Sequence, residues 1–458
     1  MHFAYHPIDF SRLNHGSFGS PPVCVLEEVD RIRLDWLKQP DAWYFGGLLE
    51  SGLMAARDSA LWLINGEGFR IIDPELVCLV ENAACATAIV ARRWQKQLQS
   101  AAAPRAVVFT LDMVYGGCRN CLREFLGDCD VEFVTLTVLG VSWPRSTAEI
   151  LSRASEAIRS KHAELILARN GTRRVYGFFD HISSQPSFKL PVAALIKELR
   201  TVFSSEADFQ VEVCVDGAHS VGSLPRFDVV EDCGDPDFFF SNVRSLHTHA
   251  CPQNHTAGLR ASEFSESLRR LQLHKWGYMA PTVTIMYARS RDLVSSTRHI
   301  VPSWSCGKGL GVESRFAGTR DYSAMLAVPA AVHFLQSWRS DRGESAAEFC
   351  HRRVCEAALQ LSRAWGTDSL WPCERELVAT QCMVRLPFDS AEDCPGRPAS
   401  SQSLRTVLRE AHRVEAAVGH FEAMGTFVRL SFAVYNSQHD IDRLERAVLL
   451  EAQRRAAR

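Results

Sequence analysis

Lys275 stands in the run Leu273-His274-Lys275-Trp276, downstream of Asp216-Gly217-Ala218-His219. A lysine amine on a short turn after a strand can form a Schiff base with an aldehyde. A carboxylate delivered by an earlier strand end can pair with a pyridinium nitrogen and keep that ring an electron sink. Lysine and aspartate in this order can therefore build a pyridoxal phosphate (PLP) site. Neither tetrapeptide is specific alone; their order and the runs around them make the case.

The elements that must position these residues alternate along the first two thirds of the chain. Ala106–Thr110 is a short apolar strand, followed by a turn at Tyr115-Gly116-Gly117 and a helix from Arg119 to Leu126. Val131–Val134 and Glu164–Ala168 read as further strands, Val192–Phe203 has helical spacing, and Val211–Val215 is a strand ending at Asp216. Leu76–Val80 is a strand leading into a helix at Asn82. This rhythm predicts an α/β fold with a mostly parallel, doubly covered central sheet. In such sheets ligands collect at the carboxyl ends of the strands, where Asp216 falls. From Tyr322 to Ser340 the pattern predicts one long apolar helix linking to a smaller α+β domain. That domain has a helix at about 344–365, a strand near Cys382–Leu386, a polar loop at 389–403, a helix at Leu404–His412, a strand at Phe427–Phe432 and a C-terminal helix from Ile441. The expected division is an N-terminal segment 1–45 folding over the site, a large domain 46–321 and a unit 322–458 carrying the linking helix and small domain.

Composition narrows the class. At 458 residues the chain predicts two or three domains. Its 46% apolar and 23% charged residues are those of a globular protein. A net charge of −2 gives no field favouring nucleic acid or an anionic membrane. No apolar run approaches a membrane span, and the first residues show neither a basic nor an apolar leader region. The 15 cysteines are scattered in apolar contexts such as Val213-Cys214-Val215 and read as reduced core residues. The expectation is a cytoplasmic enzyme.

Phe238-Phe239-Phe240-Ser241-Asn242 reads as a buried strand that should turn at once into Leu273-His274-Lys275, yet Val243–Gln272 intervenes. This polar piece is either a surface loop, which adds little loop-closure free energy, or a retained intron. Every Val codon begins GT and one Gln codon ends AG, so the borders permit a splice pair, and the intron is the preferred reading. His247, His249, Cys251 and His255 inside it are irregularly spaced on no regular element, and no metal is assigned to them.

With these residues in place the chain resembles the class V aminotransferase family of PLP enzymes (fold type I), nearest the branch of isopenicillin N epimerase and hercynylcysteine sulfoxide lyase. The resemblance is carried by eight short runs in order. They are Leu13–Gly19, Val80-Glu81-Asn82-Ala83, Asp112 with Tyr115-Gly116, Asp180–Ser184, Val215–His219, Leu273–Trp276, Gly318–Tyr322, and Val428–Ser431 with Tyr435-Asn436. It implies that Lys275 binds the cofactor and shuttles the proton at the substrate α-carbon. Asp216 would hold the pyridine nitrogen, with His219 by the ring face or its phenolic oxygen. Asn82, Ala83 and Ala84 open a helix whose free N–H groups would hold the phosphate; an ordinary helix start is the bland alternative. The family usually has hydroxyl residues in this turn, where Ala84 and Cys85 stand here. Tyr115 matches a ring-stacking or substrate-side position, or is a turn aromatic. Ser184, Asn242 and His274 are carried over as cofactor contacts. Thr319 matches a residue that reaches the phosphate of a neighbouring subunit, implying a homodimer with shared sites, or else it caps a helix.

Arg429 sits in an apolar strand, where a guanidinium is costly unless paired; a bidentate clamp on a substrate carboxylate would answer that, as would a buried ion pair. Asn14 and His15 match the segment that folds back over the substrate, though Asn-His-Gly-Ser is also simply a turn. The family's desulfurases carry a nucleophilic cysteine in a mobile, small-residue loop. Cys306 and Cys382 lie in other contexts, so a persulfide mechanism is not expected. Pro281-Thr282-Val283 also replaces the family's usual turn after the lysine. The resemblance implies PLP chemistry at the α-carbon of an amino acid, with a C–S lyase preferred. The alternatives are an epimerase, an aminotransferase, or a non-catalytic PLP-fold protein should Val243–Gln272 displace Lys275.

Overall fold

The computed structural model describes residues 2–65, 72–99, 105–140, 143–144, 146–168, 174–204, 209–242, 276–280, 282–367, 375–393, 403–422 and 424–457, with backbone only at Ala168, Asn242 and Arg375. Twelve strands are named in chain order: β1 Ser11–Arg12, β2 Val77–Val80, β3 Ala106–Leu111, β4 Val131–Leu136, β5 Arg174–Asp180, β6 Gln210–Asp216, β7 Phe238–Asn242, β8 Thr284–Ala288, β9 Gln381–Arg385, β10 Val414–Glu415, β11 Ala417–Phe421 and β12 Gly425–Ser431. Seven form one sheet in the order β2-β8-β7-β6-β5-β3-β4. β8 runs antiparallel to both β2 and β7, and the remaining pairs are parallel. The expected α/β fold with a mostly parallel sheet is what forms.

Burial on both faces explains why these strands read as continuous apolar runs. Along β3, Val107, Phe109 and Leu111 face one core while Ala106 and Val108 face the other. Phe239 of β7 shares the first core, and its neighbours Phe238 and Phe240 the second. Trimming one such phenylalanine to alanine costs roughly 3–5 kcal/mol. The antiparallel sheet β11-β12-β9 has a separate core with helices Ala346–Trp365, Leu404–His412 and Gln438–Ala456. The chain's start is tied to that sheet's surroundings: β1 pairs with β10, and Asn14 bridges to Ser431.

Three expectations are corrected. Glu164–Ala168 is not a strand but the last turn of helix Thr147–Ala168. A short apolar run does not by itself distinguish strand from helix, and Lys161 reaching Glu164 at 2.7 Å shows the i,i+3 neighbours of a helix. The strand of that region is β5. The long helix after Tyr322 is two, Ser323–Leu326 and Val328–Ser337, broken where Pro329 supplies no N–H. The C-terminal helix begins at Gln438, three residues early, because Ser437 and Asp440 form a capping box. Strands β8 and β11 had no distinct signal. Val243–Gln272 lies outside the described residues. No described helix is long and apolar enough to cross a membrane.

Candidate active site

Strands β5 and β6 end in register, placing Asp180 opposite Asp216, both buried. The Ala218 N–H donates to Asp216 Oδ1 at 2.8 Å, and the Cys118 thiol donates to Oδ2 at 3.4 Å. The turn after β6 needs glycine at 217, where a Cβ would come 2.1 Å from the Phe239 ring. Gly217 is fixed by its N–H to Phe240 O at 2.7 Å and by Ser241 Oγ donating to its carbonyl at 2.6 Å. Burial, and then the charge of Asp216, pushes the Asp180 carboxyl well up. Adjacent buried carboxyls resist ionising together, so Asp180 is the neutral member. The Tyr115 N–H serves it, while its Oδ2 has no hydrogen-bond partner.

His219 is buried three residues beyond Asp216, and its Nδ1 receives the Trp276 indole N–H at 3.2 Å. Trp276 in turn packs on His15, whose Nδ1 lies 2.9 Å from the Tyr435 hydroxyl. Gly16 makes this approach possible, since a Cβ there would meet Gln381 Oε1 at 2.5 Å and the Trp276 ring at 3.0 Å.

Arg429, central in β12, is 2% exposed. Its Nη1 donates to Ser184 O at 2.9 Å and Ser184 Oγ at 3.1 Å; Nη2 donates to Asn14 Oδ1 at 2.8 Å and to Ser17 Oγ. All four acceptors are neutral, and no carboxylate pairs with it among the described residues. Burial, chiefly, brings its pKa down to about 10, aided by Arg405 and opposed by Tyr115. Tyr115 is half exposed, and burial, then the charges of Cys118 and Asp216, push its hydroxyl up while Arg429 opposes them.

Helix Ala83–Leu98 starts beside this group. Asn82 is its N-cap, with Oδ1 accepting the Cys85 N–H at 2.8 Å. Thr87 donates to Ala83 O at 2.8 Å and lies 3.4 Å from Cys118 Sγ, which links the helix start to Asp216 through the thiol. Ala84 is exposed. Thr319 is exposed on the Gly318–Asp321 turn, and Tyr322, not Thr319, is the N-cap of the next helix, with Asp321 accepting the Ser323 N–H at 2.9 Å.

Asp216, His219, Tyr115, Ser184, Arg429, Asn14 and His15 are thus gathered, with Asn82 and Ala83 joined to them through Cys118. Ser184 contacts the guanidinium. Asn242 closes β7, its side chain not being described, and His274 and Lys275 lie outside the described residues. Sequence reasoning left Asp180, Ser17 and Cys118 without roles. Asp180 stood inside a quoted run, and only the register of β5 with β6 gives it meaning. Ser17 sits three residues beyond Asn14, on the same helical turn.

The site thus joins a strand-end carboxylate pair of the large sheet to a guanidinium from a second sheet. No family model matches the chain. It is 30% identical over 460 residues to a probable chloroplastic L-cysteine desulfhydrase of Arabidopsis thaliana, covering 97% of this chain and 84% of that protein. It is 27% identical over 438 residues to isopenicillin N epimerase of Streptomyces clavuligerus, covering 95% and 93%. Among solved structures, the cystine C–S lyase C-DES superposes with a TM-score of 0.65 at 15% identity, covering 96% of this chain and 97% of the other. A variant of C-DES has been solved with glycine covalently linked to its PLP cofactor. The chain belongs to the L-cysteine desulfhydrase family, within the class V aminotransferase family of PLP-dependent enzymes.

Proposed function

We propose that this protein is a PLP-dependent C–S lyase acting on L-cysteine or a related sulfur-substituted amino acid. The observation that carries the reading is Arg429: a buried guanidinium held only by neutral oxygens, on the same site as the Asp180–Asp216 pair. A buried cation without a counter-charge calls for an anionic ligand, and the α-carboxylate of an amino acid fits a bidentate clamp.

The residues present fit PLP. Asp216 would hold the pyridine nitrogen, Asp180 offers an unpartnered Oδ2 at the neighbouring strand end, and Asn82, Ala83 and Ala84 open a helix that would hold the phosphate. Bound PLP supplies an electron sink for the pair left at the α-carbon. Lys275, one residue before the buried Trp276, takes the α-proton as general base. Arg429, with Asn14 and Ser184, would hold and orient the substrate carboxylate. His219 and Tyr115 would lie against the cofactor ring, and His15 with the 1–45 segment would exclude water. The sulfur leaves from the β-carbon, and the net reaction of L-cysteine with water gives pyruvate, ammonia and hydrogen sulfide.

In this reading 46–321 binds the cofactor and 322–458 supplies Arg429. His274, Asn242 and Thr319 complete the cofactor contacts, Thr319 across a homodimer, in the cytoplasm. Incubation of the purified chain with L-cysteine tests it. Sulfide, pyruvate and ammonia in equal amounts support the lyase. Solvent deuterium entering recovered, unbroken substrate would instead mark an epimerase.

A further inference from the structure

Glu81, Cys85 and His299 converge beside the start of helix Ala83–Leu98 in an arrangement the proposed lyase chemistry does not use. Cys85 Sγ lies 3.1 Å from Glu81 Oε2 and 3.9 Å from His299 Nε2, and those two atoms are 3.3 Å apart. A tetrahedral zinc ion with metal–ligand distances near 2.0 Å to nitrogen and oxygen and 2.3 Å to sulfur requires separations of about 3.3 Å between N and O, and about 3.5 Å from sulfur to either. The three atoms already form that triangle to within a few tenths of an ångström, before any ion draws them together.

Their surroundings orient them as ligands. Arg320 Nη1 holds the other Glu81 oxygen at 2.9 Å, leaving Oε2 turned to the thiol and the imidazole. His299 is 1% exposed, and its Nδ1 lies 3.4 Å from Val301 O and 3.2 Å from Val301 N. One residue thus offers an acceptor to Nδ1–H and a donor to bare Nδ1. The ring can release Nε2 to a metal and keep a partner at Nδ1, the backing that metal-bound histidines usually have. The Glu81 side chain is 22% exposed while His299 is buried.

We propose that Glu81, Cys85 and His299 form a tridentate site for a divalent ion of the zinc class, with a fourth position open to water or a small ligand. An imidazole, a thiolate and a carboxylate are a zinc-type donor set. Binding exchanges the Cys85 thiol proton for the ion, while the neutral imidazole ligates through Nε2 and keeps its one proton on Nδ1, leaving a neutral centre from Zn²⁺, Cys85 thiolate and Glu81 carboxylate. The ion fastens the first turn of the helix to the Thr297–Val301 segment. The inference is independent of the lyase reading.

The test uses the purified full-length chain, with whatever cofactor it carries, after removal of metals by a chelator. Zinc is titrated against a chromophoric chelator, and cobalt(II) is added separately to record its visible d–d bands. The site predicts one equivalent of zinc per chain and the intense bands of tetrahedral cobalt. Cys85→Ser and His299→Gln each weaken zinc by about 100-fold or more, with far-UV circular dichroism and melting temperature of the metal-free variants unchanged. Absence of binding, weak octahedral cobalt bands, or affinity unaltered in both variants would overturn the assignment.

Discussion

The carboxylate end of the site and its guanidinium end handle buried charge in opposite ways. At the ends of β5 and β6, Asp216 is served by the Ala218 N–H and the Cys118 thiol, and its neighbour Asp180 is kept neutral. The large sheet thus presents a single negative charge that its own turn supports. On β12, Arg429 has hydrogen bonds but no opposite charge among the described residues, and burial lowers its pKa to about 10. Hydrogen bonds to neutral oxygens without charge compensation, with Nε left unpartnered, mark the end that awaits an anion; hydrogen bonding beside a neutral carboxyl marks the end that faces a cationic ring. The two ends differ in what they lack, and that difference identifies what each binds.

Substitutions can break this contrast. The largest effect is expected at Asp216. Asp216→Asn keeps the shape but removes the charge, and kcat/KM for L-cysteine should fall roughly 10³-fold, measured by sulfide release. Arg429→Met should raise KM and lower kcat/KM by about 10²-fold, while the melting temperature holds or rises because an uncompensated buried cation is gone. A loss of stability with unchanged KM would show that Arg429 serves the fold alone. Asp180→Asn should cost less than about tenfold, since an amide mimics a neutral carboxyl. An effect matching Asp216→Asn would mean that both carboxylates are ionised.

A separate effect falls on stability. Burial, chiefly, brings the His181 pKa down to about 3, with its Nδ1 on Ser220 Oγ at 2.8 Å. Between about 6.5 and 3 the unfolded chain carries a proton on this ring that the folded chain refuses. Stability is therefore full above 6.5 and declines as pH falls through that window, by about 1.4 kcal/mol per pH unit from this group at most. His181→Gln should flatten the acid limb of a urea-midpoint titration accordingly.

Much of this was legible in the sequence, for reasons that differ by element. Asp216 and Arg429 could be read because each is a charge in or at the end of an apolar strand, where burial leaves few roles open. Asp180 was quoted but unassigned, since its meaning depends on register with a neighbouring strand, and β5 itself was displaced onto the end of helix Thr147–Ala168. There, Leu165-Ile166-Leu167 has strand-like composition but helical placement, with Leu165 buried and Leu167 84% exposed. Ser17 escaped because only Asn14 and His15 of this run match the segment that folds over the substrate, and nothing in the spacing marks the short helix start that delivers two oxygens to Arg429. The Glu81–Cys85–His299 triangle could not be seen at all, because His299 stands 214 residues from Cys85 and lies in no metal-like spacing.

The most direct test of the central claim is the visible absorption spectrum of the purified chain before and after borohydride, followed by peptide mapping. The account predicts a yellow chromophore that borohydride bleaches, with the reduced cofactor covalently attached at Lys275. A folded, colourless chain that takes up no added PLP, or a label on any other lysine, would contradict it.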